Sequence, residues 1–143
     1  MNILIIYGPN LNLIGVKSAL LDKKITLDKI NKEIKNKIKN RKINLKTLQS
    51  NDVGKTINFL QKNRNWSNAI LISPCSWSVN QFDLLETLQI FDKPLVDVYL
   101  DEKYDKNKFF KKSIFTSLSL KSFVGDPIEI FKNGIEEILN LEK

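Results

Sequence analysis

The stretch NILIIYGPNLNLIG, residues 2–15, decides the fold of this chain. Its first six residues, Asn2–Tyr7, form a near-continuous apolar run, which is typical of a strand covered on both faces of a parallel sheet. Gly8-Pro9-Asn10 then breaks the run, and glycine and asparagine directly after a strand usually form a turn. The segment therefore predicts a buried strand that ends in a tight loop.

Strand-like runs and helical patterns alternate along the rest of the chain. The further predicted strands are Ile43–Leu48, Ala69–Ile72, Pro94–Leu100 and Leu118–Val124. Helices are predicted from Leu27 with Thr26 as N-cap, from an Asn51 or Asp52 cap, and from about Asn80 through Leu88. This alternation predicts one α/β domain over residues 1–143, an open parallel sheet of about five strands with helices on both faces. In such sheets ligands bind outside the carboxyl ends of the strands.

The last helix has the clearest start signal. Asp126 is expected to be its N-cap, Pro127 its first residue, and Glu129 is placed to cap back. The charged and weakly patterned segment Asp101–Lys112 predicts a loop before it.

Composition excludes several classes of function. The 143 residues contain no histidine, which removes the usual general acid or base and the commonest metal ligand, so we expect no metal site. The single cysteine, Cys75, excludes an internal disulfide and fits a reducing cytoplasm. No apolar run reaches the roughly 20 residues that span a bilayer, so no membrane contact is expected. The net charge of +7 comes almost entirely from lysine, whereas a nucleic-acid reader would be expected to use arginine, so no nucleic-acid partner is expected.

The octet GPNLNLIG, Gly8–Gly15, resembles the GPNLNLLG signature of the type II 3-dehydroquinate dehydratase family. Gln49-Ser50-Asn51 matches the family's QSN, and Ser73-Pro74 lies where the family has Asn-Pro. Pro94–Tyr99 lies where the family has a strand similar to PVIEVH. The resemblance implies a flavodoxin-like fold. It also implies dehydration of 3-dehydroquinate to 3-dehydroshikimate, in the shikimate pathway, through an enolate and with no cofactor, metal or covalent intermediate.

The resemblance also assigns site positions to this chain. Lys17, Asp22 and Tyr99 stand where the family has its activating Arg, its catalytic Tyr and its acid His. The positions for substrate binding are Asn10, Asn12, Ser73, Glu86, Asp97, Leu100, Asp101 and Lys106. Val79 and Phe110 replace a binding His and an Arg, and Glu86 replaces an Asp that reaches across a subunit interface.

These replacements predict an impaired or lost activity. An unperturbed Asp22 is a weak base, and Tyr99 is a weaker acid than imidazolium. A rewired site, with Asp22 as base, Lys17 on the enolate and Tyr99 as acid, is one reading. The alternatives are an inactive homologue that serves a structural or partner-binding role, and a protein that binds a small anion for other chemistry. The family's assembly implies self-association as a trimer or dodecamer, and the only other expected partner is a small anionic substrate.

Overall fold

The computed structural model describes residues 1–142, which form a five-stranded parallel sheet with helices on both faces. The strand order is β2-β1-β3-β4-β5, the order of flavodoxin-like sheets. All strands are parallel, and the order in which successive strands are added to the sheet reverses between β1 and β3. The strands are β1 (Asn2–Tyr7), β2 (Asn44–Gln49), β3 (Ala69–Ser73), β4 (Leu95–Leu100) and β5 (Lys121–Gly125). The helices are α1 (Ile14–Ala19), α2 (Leu27–Lys37), α3 (Val53–Asn63), α4 (Phe82–Phe91) and α5 (Pro127–Leu139).

Alternate residues of the central strands supply two separate cores. Ile3 and Ile5 of β1 face the core built with α2 and α5, whereas Leu4 and Ile6 face the core built with α3 and α4. Successive side chains of a strand point to opposite faces, so a strand buried on both faces has to be apolar throughout. The apolar run at residues 2–7 therefore reflects a central position in the sheet, as predicted.

The predicted caps of two helices are confirmed. The Thr26 hydroxyl accepts a hydrogen bond from the Lys29 N–H at 3.2 Å, and Asp52 Oδ1 accepts from the Gly54 N–H at 2.9 Å. Each cap satisfies an N–H of the first helical turn, which has no partner within the helix.

The predicted side-chain cap of α5 is wrong. Asp126 occupies the N-cap position, but its side chain makes no capping hydrogen bond, and its Oδ1 is buried without a partner among residues 1–142. The side chain lines a cavity beside Lys23 and Tyr104 instead of folding over the helix. The backbone start of the helix, with Pro127 first, is as predicted.

Two further boundaries differ from the expectation. The last strand begins at Lys121, not at Leu118, because Leu118 and Ser119 form turns in which their N–H groups donate to Phe115 O and Thr116 O. The six-residue helix α1 was not expected, since it is too short to show a helical apolar stripe. No helix among residues 1–142 is both long and apolar enough to cross a membrane.

Gly8 closes the loop after β1 against the end of β3. Its N–H donates to the Ser73 carbonyl at 2.8 Å, and a Cβ placed on it would lie 2.7 Å from the carbonyl oxygens of Ser73 and Pro74. Backbone oxygens cannot move aside as the end of a flexible side chain can, so only glycine fits without a shift of the loop.

We expect Gly8→Ala to lower the free energy of unfolding by about 1–3 kcal/mol, the usual range for overpacking a closed site. Urea unfolding followed by circular dichroism measures the change. The matched control is Gly54→Ala in the first turn of α3, where the added Cβ would meet only the Asp52 side chain, at 3.3 Å. If both variants lose the same stability, the contact with Ser73 and Pro74 is not the cause.

Candidate functional site

A cavity of about 390 Å³ opens at the carboxyl ends of β1, β3 and β4. This is the edge, next to the reversal of strand order, at which open parallel sheets bind their ligands. The cavity is bordered by the loop after β1, by α1, by the turn after β3 and by the segment that follows β4. Its lining is mainly apolar, with a few polar side chains, as is usual for a small-molecule site.

The first two sequence motifs meet at this cavity. Asn10 has left-handed backbone geometry, with φ 68°, and its N–H donates to Asn51 Oδ1 at 2.9 Å. Gln49 Nε2 donates to the Gly8 carbonyl at 3.2 Å. The Gln49-Ser50-Asn51 segment thus holds the Gly8-Pro9-Asn10 loop in place through side-chain to backbone hydrogen bonds, which fixes the rim that Asn10 contributes to the cavity.

Five of the predicted site residues line the cavity. Lys17 projects from α1, Ser73 and Tyr99 lie on β3 and β4, and the other two are Asn10 and Leu100. Ser73 and Tyr99 are almost fully buried, while Lys17 is half-exposed at the rim. The predicted residues therefore bring one cation, two hydroxyls and one amide to the cavity from four different segments of the chain.

The other six predicted residues lie outside the lining. Asp22 is exposed after α1, with left-handed φ of 56°, and Asn12 is exposed in the single turn Leu11–Leu13. Glu86 is exposed on α4 and Lys106 is exposed in the loop after β4. The last two are Asp101, whose Oδ1 accepts from the Lys103 N–H at 3.0 Å, and Asp97, which is fully buried.

Asp97 anchors a network of hydroxyl groups behind the cavity. Its Oδ2 accepts from Tyr99 Oη at 2.5 Å and from Thr116 Oγ1 at 3.0 Å. Its Oδ1 accepts from Ser119 Oγ at 2.6 Å and from Ser122 Oγ. These hydroxyls come from β4, from the segment before β5 and from β5 itself, so the network fastens the chain after β4 to the sheet.

Tyr99 connects this network to the cavity. Its hydroxyl lies 2.5 Å from both Asp97 Oδ2 and Ser113 Oγ. Burial, and then the neighbouring Asp97 carboxylate, raises the pKa of the Tyr99 phenol well above its usual value. Near neutral pH, Tyr99 therefore keeps its proton and uses it in the bond to Asp97.

Cys75 also lines the cavity, and its environment makes it a poor nucleophile. The thiol lies 3.7 Å from Ser73 Oγ and donates to the Ser73 carbonyl at 3.6 Å. Burial raises the pKa of this thiol to about 11, and the Ser73 hydroxyl and the Lys17 charge only partly offset that increase. Only the thiolate reacts rapidly with electrophiles, so the pKa sets the reactivity.

We expect alkylation of Cys75 by iodoacetamide to accelerate about tenfold per pH unit from about pH 7 to about pH 10, without reaching a plateau. Mass spectrometry of quenched samples gives the rate, and N-acetylcysteine in the same buffers is the control thiol, with its plateau near its ordinary pKa. A plateau for Cys75 at the same pH as the control would show that burial does not hold the thiol protonated.

The sequence did not single out several lining residues as binding groups. Asp105 is buried, and its Oδ1 accepts from the Asn107 backbone and side-chain N–H groups, both at 3.1 Å. Phe109 also lines the cavity. These residues belong to the weakly patterned loop Asp101–Lys112, in which no periodicity indicates the direction of a side chain. Among residues 1–142, no group of three or more Cys, Asp or Glu side chains is placed to hold a metal ion.

Comparisons with known proteins agree with one another. The family model described as Dehydroquinase class II matches residues 1–139. A 3-dehydroquinate dehydratase of Clostridium botulinum is 35% identical over 139 residues, which cover 97% of this chain and 95% of the relative. One from Dictyoglomus turgidum is 29% identical over 138 residues, 96% of this chain and 95% of the relative.

Solved structures give the same result for the fold. The type II dehydroquinase of Butyrivibrio crossotus superposes with a TM-score of 0.82 at 23% identity, covering 100% of this chain and 98% of that chain. The enzyme of Propionibacterium acnes gives a TM-score of 0.83 at 14% identity, covering 97% and 96%. The sheet order, the position of the cavity and the match over nearly the whole length lead to one conclusion: the chain belongs to the class II dehydroquinase family.

Proposed function

We propose that the cavity at the ends of β1, β3 and β4 binds 3-dehydroquinate and that this chain dehydrates it, but only slowly. Membership of the family supports the inherited reaction. The slow dehydration is inferred from the hydrogen bonds of Tyr99. Its hydroxyl is bound to Asp97 and Ser113, at the position where the family resemblance requires a proton donor.

The case for binding rests on the polar groups that remain in an apolar cavity. Lys17 supplies a positive charge for a carboxylate, and the Ser73 hydroxyl can donate and accept one hydrogen bond. The cavity of about 390 Å³ lies within the range of small-molecule sites. Asp105 lowers the affinity for an anionic substrate, because its carboxylate lines the same cavity and repels an anion. We therefore expect weak affinity.

The case against rapid turnover rests on proton transfer. A general acid or base works best when its pKa lies near the operating pH. Tyr99 fails this condition because its pKa is raised, and the chain contains no histidine to replace it. Asp22, at the position of the family's base, is exposed and does not line the cavity. Neither of the two proton transfers in the dehydration therefore has a well-placed acid or base in this chain.

Isothermal titration with 3-dehydroquinate, together with an absorbance assay for the enone product, tests this function. We expect measurable binding that weakens about tenfold in Lys17→Gln, in line with the loss of one charged hydrogen bond. The control is Lys29→Gln, an exposed lysine of α2 outside the cavity, which should bind as the unmodified chain does. Absence of both binding and turnover would favour an inactive homologue with a structural or partner-binding role. Binding of 3-dehydroquinate without any product would favour a small-anion protein with other chemistry.

We also propose that the chain self-associates, as a trimer or a dodecamer, in the cytoplasm. Large apolar side chains are exposed on α4, namely Phe82 and Ile90, on the same helix as Glu86. Exposed apolar surface of this kind favours a protein interface. Light scattering coupled to size-exclusion chromatography measures the assembly, and a monomer at micromolar concentration would contradict it.

A further inference from the structure

A second cavity, of about 450 Å³, is lined by residues of α2, of α5 and of the segments that follow α1 and β4. It shares no lining residue with the first cavity. The segment after α1, the turn after β4 and the start of α5 border it, and the residues used below are Lys23, Ile25, Tyr104, Asp126, Ile128 and Lys132. The proposed function above does not involve it.

Two residues that line this cavity each carry a buried polar atom without a hydrogen bond. Within residues 1–142, only three buried side-chain oxygens lack a hydrogen bond, and two of them, Tyr104 Oη and Asp126 Oδ1, belong to residues of this lining. Tyr104 is only 6% exposed. Buried polar groups in proteins are nearly always hydrogen-bonded, and an unpaired one lowers stability by about 1–3 kcal/mol. Two such groups at one cavity indicate that a ligand completes them.

Charges of both signs line the cavity: the lysines are Lys23, Lys37 and Lys132, and the carboxylates are Asp126 and Glu129. Lys132 and Lys37, which also line the cavity, form ion pairs with Glu33 at 3.9 Å and Glu136 at 3.1 Å. Lys23 forms no ion pair with the part of the chain that the structure describes. Its Nζ lies 5.8 Å from the centre of the Tyr104 ring, and the Tyr104 hydroxyl, followed by the Asp126 carboxylate, raises the pKa of the Lys23 ammonium group.

The chemistry of these groups selects a ligand class. Asp126 Oδ1 can only accept while it is ionised, so the ligand must donate a proton to it. Lys23, the lining lysine that has no ion pair within residues 1–142, favours an anionic group, for which the Tyr104 hydroxyl is a further donor. An ammonium group would also satisfy Asp126, but Lys23 would repel it, whereas Lys23 does not repel a neutral hydroxyl. We propose that the second cavity binds a small hydroxycarboxylate, with its carboxylate at Lys23 and Tyr104 and a hydroxyl donated to Asp126.

D-gluconate, a six-carbon hydroxycarboxylate, is the probe for this site. Gluconate is titrated into the ¹⁵N-labelled full chain and amide chemical shifts are followed. We expect a dissociation constant of about 1 mM and shifts of the amides of Lys23, Tyr104 and Asp126. Hexanoate lacks the hydroxyls, D-glucitol lacks the carboxylate, and norleucine replaces the hydroxyls with an ammonium group. Each should bind at least about tenfold more weakly.

Tyr104→Phe removes only the orphan hydroxyl and should weaken gluconate binding about tenfold while leaving the ligand-free stability unchanged or higher. Lys23→Gln should weaken binding similarly, whereas Lys17→Gln in the first cavity should leave it unchanged. A loss of stability in Tyr104→Phe without ligand would mean that the hydroxyl is paired within the protein. The proposal would also be overturned if gluconate failed to bind, if norleucine or hexanoate bound equally well, or if the shifts mapped to the first cavity. None of these outcomes depends on 3-dehydroquinate turnover.

Discussion

A turnover number for 3-dehydroquinate at least about 10³-fold below that of the Clostridium botulinum relative is the expected result when the two proteins are assayed side by side. One well-placed general acid or base contributes about 10²–10⁴-fold to a rate, and in this chain neither proton-transfer position is well served. Tyr99 is held protonated by burial and Asp97, and Asp22 lies in solvent outside the cavity. The rate of enone formation at saturating substrate gives the comparison directly.

The rate deficit should be partly reversible. Asp22→Tyr, Tyr99→His and Phe110→Arg combined restore the residue types that the family resemblance gives to these positions, and histidine titrates near neutral pH. We expect the combined variant to exceed the unmodified chain at least about tenfold, the lower range for one acid or base. Phe110→Arg alone is the control, because it adds charge without adding a proton donor. No gain in the combined variant would show that the remaining cavity groups no longer support the reaction, and a normal rate in the unmodified chain would refute the proposed impairment.

Replacing Asp97 with alanine is expected to lower the free energy of unfolding by at least about 3 kcal/mol, because several hydroxyls lose the carboxylate that accepts from them and each buried group left unpaired costs about 1–3 kcal/mol. The substitution leaves four hydroxyls, those of Tyr99, Thr116, Ser119 and Ser122, without their acceptor. Each hydroxyl that stays buried and unpaired carries its own desolvation penalty. Urea unfolding monitored by circular dichroism measures the loss.

Two further variants keep this prediction testable if Asp97→Ala does not fold. Ser122→Ala removes one donor and should lower stability by about 1 kcal/mol. Ser117→Ala is the control, since Ser117 is exposed and makes no side-chain hydrogen bond to residues 1–142. A stability loss for Asp97→Ala no greater than that for Ser122→Ala would mean that the network does not fasten the segment after β4.

The fold was predictable because local patterns carry most of it. The apolar run at Asn2–Tyr7 and the Thr26 and Asp52 caps depend on residues within a few positions of one another, and the structure confirms them. The failures arise where distant contacts override a local signal. Asp126 fits a capping pattern, yet its side chain lies with Lys23 and Tyr104, which are far away in sequence.

The candidate site was predictable only in part, for the same physical reason. Residues that follow strands, such as Asn10 and Ser73, reach the cavity because parallel strands end at a common edge. The partners of Asp97 lie 19 to 25 positions along the chain in Thr116, Ser119 and Ser122, and no periodicity links them. An acidic residue inside an apolar strand was visible in the sequence, but the hydroxyls that accommodate it were not.

The shared hydrogen bonds of Asp97 also constrain how this chain could change over evolutionary time. Because Tyr99 is bound at once to Asp97 and Ser113, the effect of a mutation at any of the three depends on the identity of the other two. Exchange of Tyr99 alone would leave Asp97 Oδ2 and Ser113 Oγ without the hydroxyl that they share. Replacing Tyr99 together with Asp97 or Ser113 should therefore change stability by an amount that differs from the sum of the two single changes.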